Sequence, residues 1–309
     1  MNKILVITGP TAVGKTALSI SLARLLNGEI VSADSMQVYE TLDIGTAKPS
    51  FEERQGIPHH MLDVCPPSRR YSVADYVDDS VRCIDDILSR GKLPIIVGGT
   101  GLYIDHLIYE TDFNEGDTDL VLRDQLSEIA KEKGGAELKK ILAEFDPETA
   151  LRLHDNDVKR LIRSIEFYRV TGKTISEHNK NNSFGKKRYD AGFFVLTCSD
   201  RAVLYDRIDL RVDMMIEQGL LDEAKRVCSS DWFDGSTAAQ AIGYKEFVPY
   251  FNADSSLDSC VELLKQHSRN YAKRQLTWFR AKKDAVFIDI LDRVNPLEAI
   301  LSAERKIDV

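Results

Sequence analysis

The sequence lacks the features of a secreted, membrane-bound or zinc-stabilised protein. Its five cysteines are scattered among 309 residues and form no CxxC pair, so neither a disulfide framework nor a zinc site is predicted. No run approaches the roughly 20 apolar residues that a membrane helix needs, and the N-terminus has no signal-peptide pattern. We therefore expect a cytoplasmic protein with no membrane partner. No obligate protein partner is indicated, and a monomer is the default expectation.

An excess of positive charge is also lacking. The chain has 41 Lys and Arg residues against 49 Asp and Glu, a net charge of −8, which argues against indiscriminate binding of nucleic acids. Two tracts depart from this balance. Residues 159–190 contain nine Lys or Arg and three acidic residues, and residues 265–283 contain seven Lys or Arg and no acidic residue. The composition therefore predicts two local basic surfaces on an acidic protein.

Apolar runs typical of strands alternate with helical periodicity in the first and last parts of the chain. KILVIT, GEIVSADS and KLPIIVGGTG predict three strands, and FFVLTC and AVFIDI predict two more nearer the C-terminus. Ser72, with Asp75 three residues later, predicts a capping box that opens a helix ending at Gly91. Strands that alternate with helices indicate a parallel α/β sheet.

The pattern changes at about Asp112. From there to residue 190 the chain is polar and charged with helical periodicity, and no convincing strand precedes FFVLTC. This stretch predicts a mostly helical insertion domain, residues 112–190, between two strands of the sheet. We expect residues 1–111 and 191–309 to form the α/β core, a parallel sheet flanked by helices.

A glycine-rich loop follows the first predicted strand. Its sequence, GPTAVGKT at residues 9–16, has the form G-x-x-x-x-G-K-T and leads into the helical run TALSISLARLL. In such a loop backbone N–H groups turn towards an anion, and the helix N-terminus adds partial positive charge. The lysine supplies a full charge, and the threonine hydroxyl can hold a phosphate or Mg²⁺. The predicted phosphate-binding residues are Gly9, Pro10, Thr11, Ala12, Val13, Gly14, Lys15 and Thr16, with Thr16 also the candidate Mg²⁺ ligand.

Three charged side chains outside the loop are candidates for the same site. Asp34 closes the run IVSAD, and ligands of open α/β sheets gather at the carboxyl ends of strands. An aspartate that caps a turn is the alternative interpretation of this position. Arg207 and Arg211 are four residues apart, so on a helix they share one face and could clamp a diphosphate. Taken alone, such a pair is more often a solvated helix face.

Six motifs in a fixed order connect the chain to a known family. They are GPTAVGKT, DSMQVY at 34–39, DIGTAKP at 43–49, VGGTGLY at 97–103, GYKE at 243–246 and KRQLTWFR at 273–280. In this combination the chain resembles the bacterial tRNA dimethylallyltransferases from residue 3 to about residue 283. The resemblance implies a P-loop NTPase-like core whose loop holds the diphosphate of dimethylallyl diphosphate instead of ATP. The implied reaction moves the dimethylallyl group to N6 of adenosine 37, beside the anticodon of tRNAs that read codons beginning with U.

The resemblance also implies roles for individual residues. Asp34 matches the family's general base, Thr100 a residue that contacts the substrate during transfer, and Arg211 its phosphate-binding arginine, with Arg207 as the second candidate. Mg²⁺ is the implied cofactor, and the implied partners are dimethylallyl diphosphate and the tRNA anticodon stem-loop. Gln37 has both a donor and an acceptor for an adenine edge. The positions that match the family's RNA contacts are Asp34, Ser35, Met36, Gln37, Thr100, Arg123, Lys159, Arg160, Leu161, Ile162, Arg163, Gln240, Ala241, Ile242, Gly243, Tyr244 and Lys245.

Other functions share parts of this pattern. A small-molecule kinase would explain the phosphate loop and Asp34, but it leaves DIGTAKP and KRQLTWFR without a purpose. An adenylate isopentenyltransferase shares much of the core, but it does not need RNA-sized basic surfaces. A non-enzymatic RNA-binding protein does not need an intact set of catalytic side chains. A chain-elongating prenyl synthase is disfavoured because neither Asp78-Asp79 nor Asp85-Asp86 begins a DDxxD pattern.

Overall fold

The computed structural model describes residues 2–110, 119–181, 186–292 and 295–307. The chain divides into a core unit, Met1–Ile108 with Arg188–Val309, and an inserted unit, Tyr109–Lys187. The limits of the inserted unit lie three residues before the predicted ones, at 109 against 112 and at 187 against 190. Within the described ranges, no helix is long and apolar enough to cross a membrane.

The core unit is built on a six-stranded sheet in which every described pairing is parallel. The strand order is β3-β2-β4-β1-β5-β6. The five predicted strands are present, and the parallel α/β fold is confirmed. The sixth, β3, was not predicted, because two residues are too few to show an alternating pattern. The strands are β1 (Lys3–Thr8), β2 (Gly28–Ala33), β3 (His59–His60), β4 (Leu93–Gly98), β5 (Asp190–Thr197) and β6 (Val286–Asp289).

Helices flank the sheet in the core unit and make up most of the inserted unit. In chain order they are α1 (Lys15–Leu25), α2 (Val73–Ser89), α3 (Gly101–Ile108), α4 (Leu120–Lys133), α5 (Gly135–Ala143), α6 (Pro147–Arg152), α7 (Val158–Thr171), α8 (Ile175–Asn181), α9 (Arg201–Glu217), α10 (Leu220–Cys228), α11 (Val248–Phe251), α12 (Leu257–Arg280) and α13 (Pro296–Ile307). Helices α4 to α8 form the inserted unit, which has its own buried core that includes Leu138, Leu142 and Leu161.

The central strands are apolar on both faces because helices cover both sides of a parallel sheet. Leu5, Ile7 and Ile95 pack in one buried cluster with Leu22 of α1 and Phe194 of β5. Strands that are buried on both faces have continuous apolar runs in the sequence, such as KILVIT and LPIIV. The sheet is therefore a rigid base for the loops at its edges.

The pairing register brings three strand ends to the same level. Gly98 at the end of β4 pairs with Ala33 of β2 and with Thr8 of β1. A Cβ atom on Gly98 would lie 2.1 Å from the Ala33 carbonyl oxygen, so this close approach requires glycine. The phosphate loop, Asp34 and the Gly99-Thr100 pair consequently begin side by side at one edge of the sheet.

The predicted capping box of α2 is confirmed. The Ser72 hydroxyl accepts a hydrogen bond from the Asp75 backbone N–H at 3.2 Å, and the Ser72 backbone N–H donates to the Asp75 carboxylate at 2.8 Å. The helix ends at Ser89, and Gly91 follows with a φ of 69°. Both helix boundaries agree with those predicted.

Replacing Ser72 tests how much the capping box contributes to the stability of the protein. Ser72→Ala should lower the free energy of unfolding by about 1 kcal/mol, because it leaves a helix N–H without its acceptor. Ser89→Ala, an exposed serine at the other end of the same helix, should change it by less than about 0.5 kcal/mol. Urea unfolding of both variants measures the difference, and equal losses would contradict the role of the cap.

Candidate active site

A cavity of about 920 Å³ opens in the core unit at the carboxyl ends of β1, β2 and β4. The phosphate loop, Asp34 and Gly99 form its wall on the side of the sheet, and residues of α9 and α12 form much of the opposite wall. Five residues of the loop line the cavity: Thr11, Ala12, Gly14, Lys15 and Thr16. Gly9, Pro10 and Val13 are buried behind them.

The phosphate loop has the backbone geometry that its glycines allow. Gly9 and Gly14 have φ angles of 139° and 91°, values that side chains rarely permit. A Cβ atom on Gly9 would also lie 2.3 Å from the Leu196 carbonyl oxygen of β5. Because α1 begins at Lys15, its first backbone N–H groups and partial positive charge lie at the loop.

Three cations surround the loop. The Lys15 Nζ donates to the Gly9 and Pro10 carbonyls at 2.9 and 2.7 Å. The Arg211 Nη1 donates to the Thr11 hydroxyl at 3.1 Å, and the Arg207 Nε donates to the Ala12 carbonyl at 2.8 Å. Arg207 is exposed, whereas Arg211 is half-buried. Both predicted arginines therefore reach the loop, from successive turns of α9.

Burial lowers the pKa values of Lys15 and Arg211. Desolvation first, and then the charge of Arg211, lower the pKa of Lys15 to about 7, although Asp34 opposes the shift. Burial likewise lowers the pKa of Arg211. A bound anion would relieve both effects, because it restores the charged forms. The loop therefore has the electrostatics of an anion site.

Asp34 is held in place by its own turn. Its Oδ1 accepts hydrogen bonds from the backbone N–H groups of Met36 at 2.9 Å and Gln37 at 3.4 Å. Thr100 supports the same turn, since its hydroxyl accepts from the Ser35 N–H at 3.0 Å. In the described part of the chain, the Asp34 Oδ2 has no hydrogen-bond partner. The turn-cap interpretation is thus correct for one carboxylate oxygen, while the other remains available for chemistry.

The set of oxygen ligands suits Mg²⁺ only in part. Among the described residues, no group of three or more His, Cys, Asp or Glu could hold a metal ion. Thr16 is exposed on the cavity wall, and Asp34 is a carboxylate in the same wall. Mg²⁺ commonly keeps several waters and binds through one or two carboxylates plus substrate phosphates. These residues therefore fit an ion that is held mainly by oxygens of the substrate.

The DIGTAKP and GYKE motifs form one assembly at the wall of the cavity, joined by a buried glutamate. Glu223 of α10, which is 5% exposed, accepts hydrogen bonds from the backbone N–H groups of Asp43, Ile44 and Gly45 at 3.3, 3.1 and 2.9 Å. It also accepts from the Tyr244 hydroxyl at 2.9 Å. Sequence reasoning missed Glu223, because an isolated glutamate in a helix gives no signal that its partners are distant backbone groups.

The KRQLTWFR motif contributes Arg274 and Gln275 to the lining of the cavity. Gln275 bonds the Thr11 N–H and the Gly99 carbonyl, and Tyr271 lies beside Thr100. Trp278 donates from its indole Nε1 to Asp105 of α3 at 3.0 Å. The motif therefore joins α12 to both the phosphate loop and the end of β4.

Comparison with known proteins places the chain in a family. Residues 37–282 match the family profile described as IPP transferase, and residues 2–66 match that of isopentenyl transferase. The chain belongs to the IPP transferase family. It is 48% identical to the tRNA dimethylallyltransferase of Bacillus cytotoxicus, covering 100% of this chain and 96% of that one.

Two solved structures of similar proteins share the fold. One is the full-length tRNA isopentenylpyrophosphate transferase from Bacillus halodurans, with a TM-score of 0.73, 40% identity, and coverage of 100% of this chain and 96% of that one. The other is a eukaryotic dimethylallyltransferase acting on tRNA, with a TM-score of 0.84, 32% identity, and coverage of 100% and 80%. This likeness to members of the IPP transferase family confirms the predicted α/β class.

The RNA-contact positions predicted in the core unit fall into two groups. Ser35, Met36, Gln37, Gln240, Ala241, Ile242 and Lys245 line the cavity with Asp34, whereas Thr100, Gly243 and Tyr244 are outside its lining. Tyr244 and Ala241 are 0% and 1% exposed. The Tyr244 side chain packs in the core with its hydroxyl on Glu223, and an RNA contact at this position stays a prediction.

Gln37 already uses its amide within the fold. Its Nε2 donates to the carbonyls of Thr46 and Ala47 at 3.1 and 3.2 Å, and its Oε1 accepts from the Ser32 hydroxyl at 3.2 Å. The side chain therefore holds the DIGTAKP loop against β2. Contact with an adenine edge, which the sequence predicts for Gln37, would require it to exchange at least one of these bonds.

The RNA-contact positions predicted in the inserted unit are also of two kinds. Lys159, Arg160 and Arg163 are on the exposed face of α7. The side chains of Leu161 and Ile162, at 0% and 8% exposure, pack in the core of the unit, and an RNA contact at these two positions stays a prediction.

Arg123 is fixed by a buried carboxylate in the same unit. Its Nε and Nη2 each lie 2.8 Å from an oxygen of Glu166, which is fully buried. The Arg163 Nη1 lies 3.1 Å from the same carboxylate. Glu166 thus orients two of the predicted RNA-contact residues.

The second basic tract is less basic than its composition predicts. Three of its seven cations are neutralised by aspartates from other elements, and the other four are exposed. The pairs are Lys265 with Asp213 at 2.7 Å, Arg269 with Asp209 at 2.6 Å and Lys282 with Asp105 at 2.5 Å. The expectation of a basic surface formed by the whole tract is corrected accordingly.

The lowered pKa of Lys15 makes anion binding depend on pH. With a pKa of about 7, Lys15 is charged below pH 7 in the free protein and loses its proton above pH 7. A bound diphosphate raises that pKa, so binding at pH 8 should take up close to one proton. The affinity advantage of the wild type over Lys15→Met should therefore fall by up to about tenfold per pH unit above pH 7.

Calorimetric titration with inorganic diphosphate, in two buffers of different ionisation enthalpy, measures this uptake. The Lys15→Met variant in the same buffers cancels the titration of the ligand itself. Equal proton uptake by the two proteins would show that Lys15 is not the titrating group.

The buried Glu223 assembly predicts a large loss of stability. Glu223→Ala removes the acceptor of three backbone N–H groups and one hydroxyl, so the free energy of unfolding should fall by about 3 kcal/mol. Tyr244→Phe removes one bond from the same carboxylate and should cost about 1 kcal/mol. Glu262→Ala, an exposed glutamate of α12, serves as the control. Denaturant unfolding measures these losses. A free energy of unfolding for Glu223→Ala that is equal to that of Glu262→Ala would refute the stabilising role of Glu223.

Proposed function

We propose that this protein transfers the dimethylallyl group of dimethylallyl diphosphate to N6 of adenosine 37 in tRNAs that read codons beginning with U, and releases diphosphate. The observation that carries the proposal is one cavity with an anion-binding loop at the end of β1 and an available carboxylate oxygen at the end of β2, on either side of β4. The relatives named tRNA dimethylallyltransferase, and the neighbour acting on tRNA, support the same reaction class.

The loop and the arginines hold the leaving group. As the allylic C–O bond breaks, positive charge develops on carbon and the electron pair of the bond passes to the diphosphate. The first amides of α1, Lys15 and Arg211 stabilise that charge, because they already point at the loop before the reaction begins. Arg207, which is exposed on the preceding turn, contributes a further charge at the rim.

Asp34 receives the proton. The adenine amine is a weak nucleophile, and its N6–H becomes acidic as the new N6–C bond forms. The free Oδ2 of Asp34 accepts this proton, while the hydrogen bonds to Oδ1 fix the orientation of the carboxylate. Thr100 keeps the turn that carries Asp34 in place through its bond to the Ser35 N–H.

A Mg²⁺ ion would supply further positive charge beside the diphosphate. When bound, it neutralises part of the negative charge that the leaving group gains. The Thr16 hydroxyl is the protein ligand that we assign to it, with oxygens of the substrate and water as the others. The tRNA anticodon stem-loop is the macromolecular partner, and the exposed cations of α7 suit its phosphates.

Activity of the Asp34→Asn variant tests the proposal. Purified protein is incubated with Mg²⁺, dimethylallyl diphosphate and an anticodon stem-loop that carries A36-A37-A38, and the RNA is then analysed by mass spectrometry. The wild type should add one dimethylallyl group at A37. Asp34→Asn should lower the single-turnover rate by about 10²- to 10⁴-fold, because the amide cannot accept the proton. Its affinity for diphosphate should be unchanged or higher, since a negative charge near the anion is removed.

Other outcomes identify the competing functions. Prenylation of free AMP or ATP with unmodified RNA would identify a nucleotide-modifying relative. Turnover of ATP without prenylation of either substrate would identify a kinase. Full activity of Asp34→Asn would retain the reaction but reject Asp34 as the base.

A further inference from the structure

Gln275 of α12 connects two loops that belong to different halves of the proposed reaction. Its side chain is 5% exposed. Its Oε1 accepts a hydrogen bond from the Thr11 backbone N–H at 2.9 Å, and its Nε2 donates to the Gly99 carbonyl at 3.1 Å. One amide therefore bonds the backbone of both loops across the cavity wall.

Each loop carries the groups for one reactant. Thr11 belongs to the phosphate loop, and its hydroxyl accepts from Arg211. Gly99 precedes Thr100, whose hydroxyl holds the turn of Asp34 through the Ser35 N–H. The Gln275 amide therefore connects the loop that holds the leaving group to the loop that supports the turn of Asp34.

The fit around this amide is tight. A Cβ atom on Gly99 would lie 2.0 Å from the Gln275 Nε2, so the backbone of the loop rests directly on the amide. Tyr271, one helical turn earlier on α12, interacts with the side chains of both Thr100 and Gln275. The end of β4 thus meets a continuous face of α12 at this point.

We infer that Gln275 is a positioning residue for the transfer step, which sets the distance between the diphosphate loop and the turn that carries Asp34. This role rests on the proposed function. Gln275 bonds backbone groups of the loops, so each reactant keeps its own binding groups when the amide is lost. What changes is the alignment of the two reactants, and a misplacement of about 1 Å can cost on the order of 100-fold in rate.

An amide is the side chain that this place requires. The Thr11 N–H needs an acceptor, and the Gly99 carbonyl needs a donor. A methionine of similar volume supplies neither. A glutamate supplies the acceptor but presents a second oxygen to the Gly99 carbonyl, so it retains one of the two bonds.

The Gln275→Met variant tests the role. With saturating dimethylallyl diphosphate and anticodon stem-loop, kcat should fall by about 10- to 100-fold. The KM for each substrate, and the Kd for inorganic diphosphate, should change by less than about threefold, because the binding groups are untouched. Gln275→Glu, which retains the bond to Thr11, should give an intermediate kcat, and it also provides a folded variant if Gln275→Met does not fold.

Cys260→Ser is the matched control. Cys260 is on the same helix and is 2% exposed. The substitution places a hydroxyl in the core, so it should lower the stability of the protein without changing either loop. If Cys260→Ser lowers Tm by as much as Gln275→Met does, it should still keep the wild-type kcat. A similar fall in kcat for this control, or a fall for Gln275→Met that is matched by weaker diphosphate binding, would overturn the positioning role. A kcat within about threefold of the wild type for both Gln275 variants would also overturn it. A wild type that transfers no prenyl group would reject the proposed function and this role together.

Discussion

The level alignment of three parallel strand ends is the constraint on which the rest of the site depends. Thr8, Gly98 and Ala33 are paired across β1, β4 and β2, so the loops that follow them start from one edge of the sheet. A shift of one residue in this register would turn buried side chains to the opposite face. The packing of particular side chains on the two faces of the sheet therefore fixes both the core and the relative positions of the phosphate loop and Asp34.

The cost of this arrangement is electrostatic. Lys15 and Arg211 are brought together in a partly buried wall, where burial lowers the pKa of both and the charge of Arg211 lowers that of Lys15 further. Asp34 offsets only part of the repulsion. A multiply charged diphosphate with Mg²⁺ would compensate the remaining positive charge, and its departure from carbon would increase the attraction. The clustering of Lys15 and Arg211 at the loop therefore has two consequences. It is unfavourable in the free protein, and it stabilises the leaving group.

Sequence reasoning found those parts of the site that depend on short-range pattern. The phosphate loop, Asp34 at a strand end and the i, i+4 arginine pair each follow from local spacing, as do five of the six strands. It could not find β3, Glu223 or the bridge made by Gln275. A two-residue strand has no period, and the partners of the two side chains are backbone groups 178 and 264 residues away. It also counted Lys265 and Arg269 as surface charge, because their aspartate partners are on α9.

Tyr244, Gly45 and Gly243 show that a family motif can also be required for packing within the fold. A Cβ atom on Gly243 would lie 3.0 Å from the Gly45 Cα, and one on Gly45 would lie 2.6 Å from the Tyr244 ring. The DIGTAKP and GYKE motifs therefore pack against each other, and the contact requires glycine at positions 45 and 243. They also secure the loop that the Gln37 amide bonds at Thr46 and Ala47, and Gly45 and Lys245 of these motifs line the cavity themselves. The shape of the cavity beside Asp34 thus depends also on the packing of Gly243 and Tyr244, which are outside its lining.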